Sequence, residues 1–168
     1  DGLNHYFASL GDESLIKSLD DLITFNRNAS QEMEFYNQKY LEMANELESL
    51  DSEGYIETLE ALRRSSQDEG IDRVMALHNL DAIVSPTGTP AWKTDHVIGD
   101  HYQLSSSSPA AQSGYPNVTV PMGYISGLPV GISFFGRAWS EPVLIEIAYA
   151  FEQASQHRQA PEFLSEAF

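Results

Sequence analysis

Three short apolar runs constrain this chain most, because each is brief, rich in β-branched or aromatic residues, and flanked by residues that stop it. Asp81-Ala82-Ile83-Val84-Ser85 ends at Pro86. Asn117-Val118-Thr119-Val120 ends at Pro121, and Val130-Gly131-Ile132-Ser133-Phe134-Phe135 follows the Gly/Pro-rich link Gly123–Pro129. Such side chains suit a pleated, half-buried surface, so the runs predict three strands, the last two adjacent and paired as a hairpin.

The flanking segments carry a helical period instead. Ser18, with Asp21 three positions later, predicts a capped helix over residues 18–28 with Leu19, Leu22 and Ile23 on its apolar face. Met33, Tyr36, Tyr40, Met43, Leu47 and Leu50 alternate spacings of three and four, which predicts one amphipathic helix whose stripe packs into the core. The stripe is too short for a coiled-coil seam. After Asp51-Ser52, the residues Tyr55, Ile56, Leu59 and Leu62 resume a helix that ends in the polar run Arg63–Gln67, and Ile71–Leu77 forms another after Gly70. Asn79 sits where a left-handed cap fits. A last helix starts at Ser140-Glu141-Pro142 and buries Leu144, Ile145, Ala148 and Phe151. Helices and strands interleave, so the fold class is α/β.

Charge excludes one class of function. The 168 residues hold 25 Asp and Glu against 9 Lys and Arg, a net charge of −16, which repels a phosphate backbone, so no nucleic-acid partner is expected. The acidity is concentrated in residues 1–80, with 17 acidic and 6 basic side chains, as in solvated helices. There is no cysteine, hence no disulfide or thiolate chemistry. No run reaches the roughly 18 to 20 apolar residues of a membrane helix. No targeting signal is visible, and a cytoplasmic protein is the default expectation.

The motifs that carry chemistry are mostly missing. No Gly-x-Ser-x-Gly nucleophile turn occurs, and Ser105–Ser108 offers hydroxyls without an evident base, as a flexible or capping segment also would. Gly123, Gly127 and Gly131 lack a phosphate-binding spacing. Asp95-His96-Val97-Ile98-Gly99-Asp100-His101 sets two Asp-His pairs five residues apart, a donor set that zinc or iron accepts. The spacing is no recognised helical ligand pair, however, and substrate contact or loop structure explains the same residues; we expect no metal and no cofactor. His5, His78 and His157 are read as structural. The stretch from Thr87 to Ser108 has little periodicity, and long irregular loops in compact domains are commonly functional. Trp92, Tyr102 and Tyr115 either line a pocket or pin loops.

Leu80-Asp81-Ala82-Ile83-Val84-Ser85-Pro86-Thr87, then Ser108-Pro109-Ala110-Ala111-Gln112-Ser113-Gly114-Tyr115-Pro116-Asn117-Val118-Thr119-Val120-Pro121-Met122-Gly123, then Gly127-Leu128-Pro129-Val130-Gly131-Ile132-Ser133-Phe134-Phe135-Gly136 occur in an order and spacing that resemble the C-terminal portion of amidase signature enzymes. The resemblance runs from about Leu80 to Phe163, and the acidic helices upstream are similar to those preceding these blocks. It implies the C-terminal portion of the amidase signature fold: acidic helices followed by strands of a mixed sheet and a final helix. The whole chain is then a single partial domain, residues 1–168, mainly helical over 1–79 and amidase-like over 80–163.

Enzymes of this family hydrolyse carboxamides through a Ser nucleophile, a second Ser in a cis peptide and a Lys base, all in segments upstream of the blocks matched here. Lys17, Lys39 and Lys93 do not lie in that motif, so no catalytic residue carries over. The resemblance implies an amidase fragment, inactive alone, that shapes the substrate pocket; its partners would be a small amide substrate in the intact enzyme and the missing N-terminal part of the same protein. Loop position and side-chain chemistry nominate Thr87, Trp92, Asp100, His101 and Tyr102 as pocket lining. Two alternatives stay open: a naturally short, non-catalytic module that binds or forms homo-oligomers through exposed sheet edges, and a metal hydrolase built on Asp95, His96, Asp100 and His101.

Overall fold

The structure is a computed structural model that describes residues 1–161; the stretch of resemblance expected to reach Phe163 ends outside the described residues. The elements are α1 (Gly2–Ser9), α2 (Leu19–Asn28), α3 (Lys39–Asn45), α4 (Glu53–Ser66), a π-type turn over Gln67–Ile71, α5 (Asp72–His78), β1 (Ile83–Pro86), α6 (Ser107–Ser113), β2 (Asn117–Ile125), β3 (Leu128–Phe135) and α7 (Glu141–Ser155). They group into two compact units, Asp1–Leu59 and the chain from Glu60 on. No described helix is long and apolar enough to cross a membrane.

In the first unit, Ser18 caps α2 as its spacing predicts. Its Oγ accepts the Asp21 N–H at 3.1 Å, and Leu19 and Ile23 are buried. The long helix expected from Met33 to Leu50 is not formed; only Lys39–Asn45 is helical. The Asn37 side chain accepts the Lys39 N–H at 3.1 Å, a local turn that competes with helix extension. Gln38 is the buried residue here, its amide donating to the Ile23 carbonyl at 3.2 Å and accepting from Asn26 at 3.2 Å. Tyr36, Tyr40, Met43, Leu47 and Leu50, expected in the core, are exposed. A regular apolar spacing marks a face but does not say what the face meets.

The second unit is built around an antiparallel sheet of order β1-β3-β2. β2 and β3 form the expected hairpin, with a tighter link than the Gly/Pro-rich stretch suggests. Ser126 and Gly127, with φ of 51° and 82°, make a two-residue turn of the type that matches strand twist, and a bulge after Pro121 lets β2 continue to Ile125.

Central strand β3 presents two different faces. Phe134 packs with Leu144 and Ala148 of α7, whereas Phe135 packs with Ile71, Met75 and Ala110 from the segment around α5 and from α6. Helices therefore cover both faces. On α7, Leu144 and Ala148 are buried and Phe151 half-buried, but Ile145, expected beside them, is exposed because it lies about 100° around the helix from Leu144. Ser140 precedes α7, yet its hydroxyl donates backward to the Arg137 carbonyl at 2.7 Å instead of capping the helix.

As expected, α4 ends inside the polar run Arg63–Gln67, at Ser66. The chain coils on through the π-type turn into α5, with a kink at Gly70 where a Cβ would come within 2.8 Å of the Ser65 carbonyl oxygen. Asn79 caps α5 at φ 49° and ψ 52°, and the Leu80 N–H closes on the Met75 carbonyl at 2.9 Å. Two helices carry no sequence expectation: α1, and α6 at the end of the serine run.

Candidate functional site

Strand register decides which side chains meet on the Phe135 face of the sheet. Ser133 of β3 lies opposite Thr119 of β2 and Ser85 of β1. Thr87 follows β1 directly; its N–H donates to the Gly131 carbonyl at 2.7 Å, and its own carbonyl accepts the Ser106 N–H at 3.2 Å. Gly88 and Ser105 form an isolated antiparallel bridge just beyond. The serine run is thereby laid along the end of the sheet.

These constraints gather hydroxyls. Thr87 Oγ1 lies 2.6 Å from Thr119 Oγ1 and 2.8 Å from Ser133 Oγ, and Thr119 Oγ1 donates to the Ile132 carbonyl at 3.2 Å. Ser133 is 1% exposed. A Cβ on Gly131 would stand 2.7 Å from Thr87 Oγ1 and 2.9 Å from Thr119 Oγ1, so glycine is what admits both threonines over this strand. Together with Ser105, Ser106, Ser107 and Asn117 they line a pocket of about 180 Å³.

Of the five residues nominated from the sequence, Thr87 lines this pocket; Trp92, Asp100, His101 and Tyr102 are not among its walls. Trp92 Nε1 donates to Asp100 Oδ1 at 3.2 Å, closing the irregular loop on itself, while His101 and Tyr102 are exposed on its outgoing limb. The metal set is not assembled: among the described residues no three His, Asp or Glu side chains are grouped to hold an ion. Asp95 is engaged otherwise, with Oδ1 accepting the N–H groups of Val97 and Ile98 at 2.8 Å each. Those backbone donors, Ile98 first and then Val97, hold its carboxyl below the usual carboxylate value.

Sequence reasoning missed Asn117, Thr119 and Ser133 as site residues. A signal was present, since Asn117 and Thr119 alternate on one face of their strand, but only the register brings Ser133 opposite them. The hydroxyls of the serine run bond locally, Ser105 Oγ to Ser107 Oγ at 2.9 Å and Ser106 Oγ to the Thr87 carbonyl at 3.4 Å. Tyr115 turns out to pin a loop. Burial, and then the Asp72 carboxylate it donates to, push its phenol up to about 12.

The sequence profile of the amidase family matches residues 3–145. The chain belongs to the amidase family. It superposes on the native peptide amidase from Stenotrophomonas maltophilia with a TM-score of 0.84 and 43% identity, over 96% of this chain and 32% of that one. An amidase family protein from Bacillus anthracis gives a TM-score of 0.70 at 27% identity, over 96% and 28% of the respective chains. A protein named probable amidase from Arabidopsis thaliana is 35% identical over 170 residues, 97% of this chain and 29% of its own length. The chain thus has the amidase fold and spans about a third, or less, of the length of these relatives.

Proposed function

We propose that this chain works as one part of a longer amidase polypeptide, in which it forms a wall of the substrate pocket. The reaction is hydrolysis of a carboxamide: water is consumed, the C–N bond breaks, and a carboxylate and ammonia or an amine leave. The nucleophile and its base belong to the remainder of that polypeptide. The observation that carries this reading is a likeness to a peptide amidase that holds across nearly the whole chain but only a third of the amidase. That likeness also favours the amide of a peptide as substrate. Thr87 would act through the hydroxyl pocket, and Trp92, Asp100, His101 and Tyr102 would meet substrate from the irregular loop.

Orientation and electrostatic preorganisation accelerate a reaction only where a nucleophile is present to be positioned. The 168-residue chain alone is therefore expected to be inactive. The test compares this chain with the product of the full reading frame that encodes it, measuring ammonia released from a peptide amide. Release by the longer product and none above buffer by the 168-residue chain is the expected pattern. Turnover by the short chain, or none by the long one, sinks the proposal.

The alternative of a homo-oligomerising module has β1 and β2 on its side, since both are edge strands among the described residues. Against it, the Thr87 N–H points to β3, so the alternation of the backbone turns Pro86 outward, and proline has no N–H to offer a partner strand. We favour the enzyme-part reading.

A further inference from the structure

Helix α6 opens on the serines that line the hydroxyl pocket, and it is too short to hold itself in place. Its seven residues make a rod about 10 Å long with few internal hydrogen bonds, so its position is decided by what grips its ends. At the pocket end, the Ser106 N–H donates to the Thr87 carbonyl at 3.2 Å. At the far end, Gln67 Nε2 donates to the Ser113 carbonyl at 2.6 Å, and Tyr115, two residues on, donates its phenol to Asp72 at 2.7 Å. Between the ends, Ala110 packs with Ile71, Met75 and Phe135.

Both side chains that grip the far end come from one π-type turn. The Asp72 N–H closes on the Gln67 carbonyl, five residues back. In an α-helix two residues five apart point about 140° away from each other, so a regular continuation of α4 into α5 would aim them apart. The wider turn brings them to one side, the side on which α6 ends. We propose that this turn is the positioning device of the pocket, with Gln67 as its positioning residue: by fixing the far end of α6 it sets where the serine run stands against Asn117 and Thr119. Gln67 is not among the walls of the pocket, so it acts through α6 and not by contact. The inference rests on the hydroxyl pocket being a substrate wall of the longer amidase. Losing the Gln67 bond frees α6 to spend part of its time displaced, and only the undisplaced fraction receives substrate. Substrate already bound holds α6 in place and meets an unchanged nucleophile. KM therefore rises while kcat stays.

The experiment uses the product of the full reading frame, a peptide amide as substrate, and Gln67→Leu, which keeps the size and removes the donor. One hydrogen bond of ordinary strength predicts a rise in KM of about fivefold at constant kcat. Tyr115→Phe, which removes the other tie, moves KM in the same direction. Ala148→Gly weakens α7 on the opposite face of the sheet and leaves KM unchanged. A second readout is independent of turnover. Exchange of the Ser106 amide hydrogen should quicken by about fivefold in Gln67→Leu, and quicken in Tyr115→Phe, because a displaced α6 breaks the bond to Thr87. An unchanged KM in both variants, an equal rise in Ala148→Gly, a fall in kcat in place of the rise in KM, or unaltered exchange at Ser106 overturns the proposal. A wild-type product that releases no ammonia sinks the amidase reading instead, and the exchange at Ser106 then decides the positioning alone.

Discussion

Tyr115 Oη donates to Asp72 Oδ2 at 2.7 Å, which ties the residue after the left-handed end of α6 to the first residue of α5. Asp72 also faces Arg137 at 3.9 Å, so one carboxylate gathers three segments on the Phe135 side of the sheet. The phenol, raised from 10.0 to about 12, holds its proton more tightly folded than unfolded. Its contribution to stability is therefore complete below about pH 10 and is lost between 10 and 12. Tyr115→Phe should lower stability by about 1 kcal/mol at neutral pH, the net worth of a partly exposed hydrogen bond. Urea midpoints of wild type and variant should converge as pH rises from 10 to 12; a constant gap would show that the bond does not titrate as described.

Gly131→Ala places a methyl group 2.7 Å from Thr87 Oγ1 and 2.9 Å from Thr119 Oγ1. Both neighbours are short, branched side chains with little freedom to retreat. Overpacking of this kind costs about 1 to 3 kcal/mol, read as a lower urea midpoint with unchanged slope.

Leu144 is 0% exposed and packs against Phe134, whereas Ile145 is 57% exposed. Leu144→Ala is expected to cost about 2 to 5 kcal/mol, and Ile145→Ala about 0.5 kcal/mol or less. Thermal unfolding of the pair measures the contrast; equal losses would place the buried face of α7 elsewhere.

Asp95→Asn should weaken the turn in which Oδ1 accepts the Val97 and Ile98 N–H groups. Those two amides should exchange with solvent faster in the variant. In the wild type their protection is present above the usual carboxylate value of 3.8 and is lost as pH falls through the lowered folded value. Hydrogen exchange at the two positions, followed into acid, checks the sign.

Much of the second unit was legible in the sequence because its signals are local and chemically distinct. Pro86 ends β1, Asn79 occupies a left-handed cap, and β-branched runs mark the hairpin. The first unit was less legible, since the stripe from Met33 to Leu50 satisfies helical spacing while Asn37 and Gln38 make side-chain bonds that interrupt it. Spacing reports the backbone's opportunity; the competing hydrogen bonds decide whether it is taken. The pocket was half legible. Thr87 follows from its position after a strand, but Ser133 and Thr119 become partners only through a pairing 14 residues apart in sequence, which no local pattern encodes.

The unlike faces of β3 make the pocket hostage to alignment. A slip of one residue against β1 and β2 would turn Ser133 toward α7 and bring Phe134 or Ile132, according to its direction, into the place of Ser133. Phe134 and Phe135 would exchange their helical partners in the same movement. Insertions or deletions inside β3 should therefore abolish the hydroxyl cluster and both apolar clusters together, while changes of length at the exposed Ser126–Gly127 corner should leave all three in place.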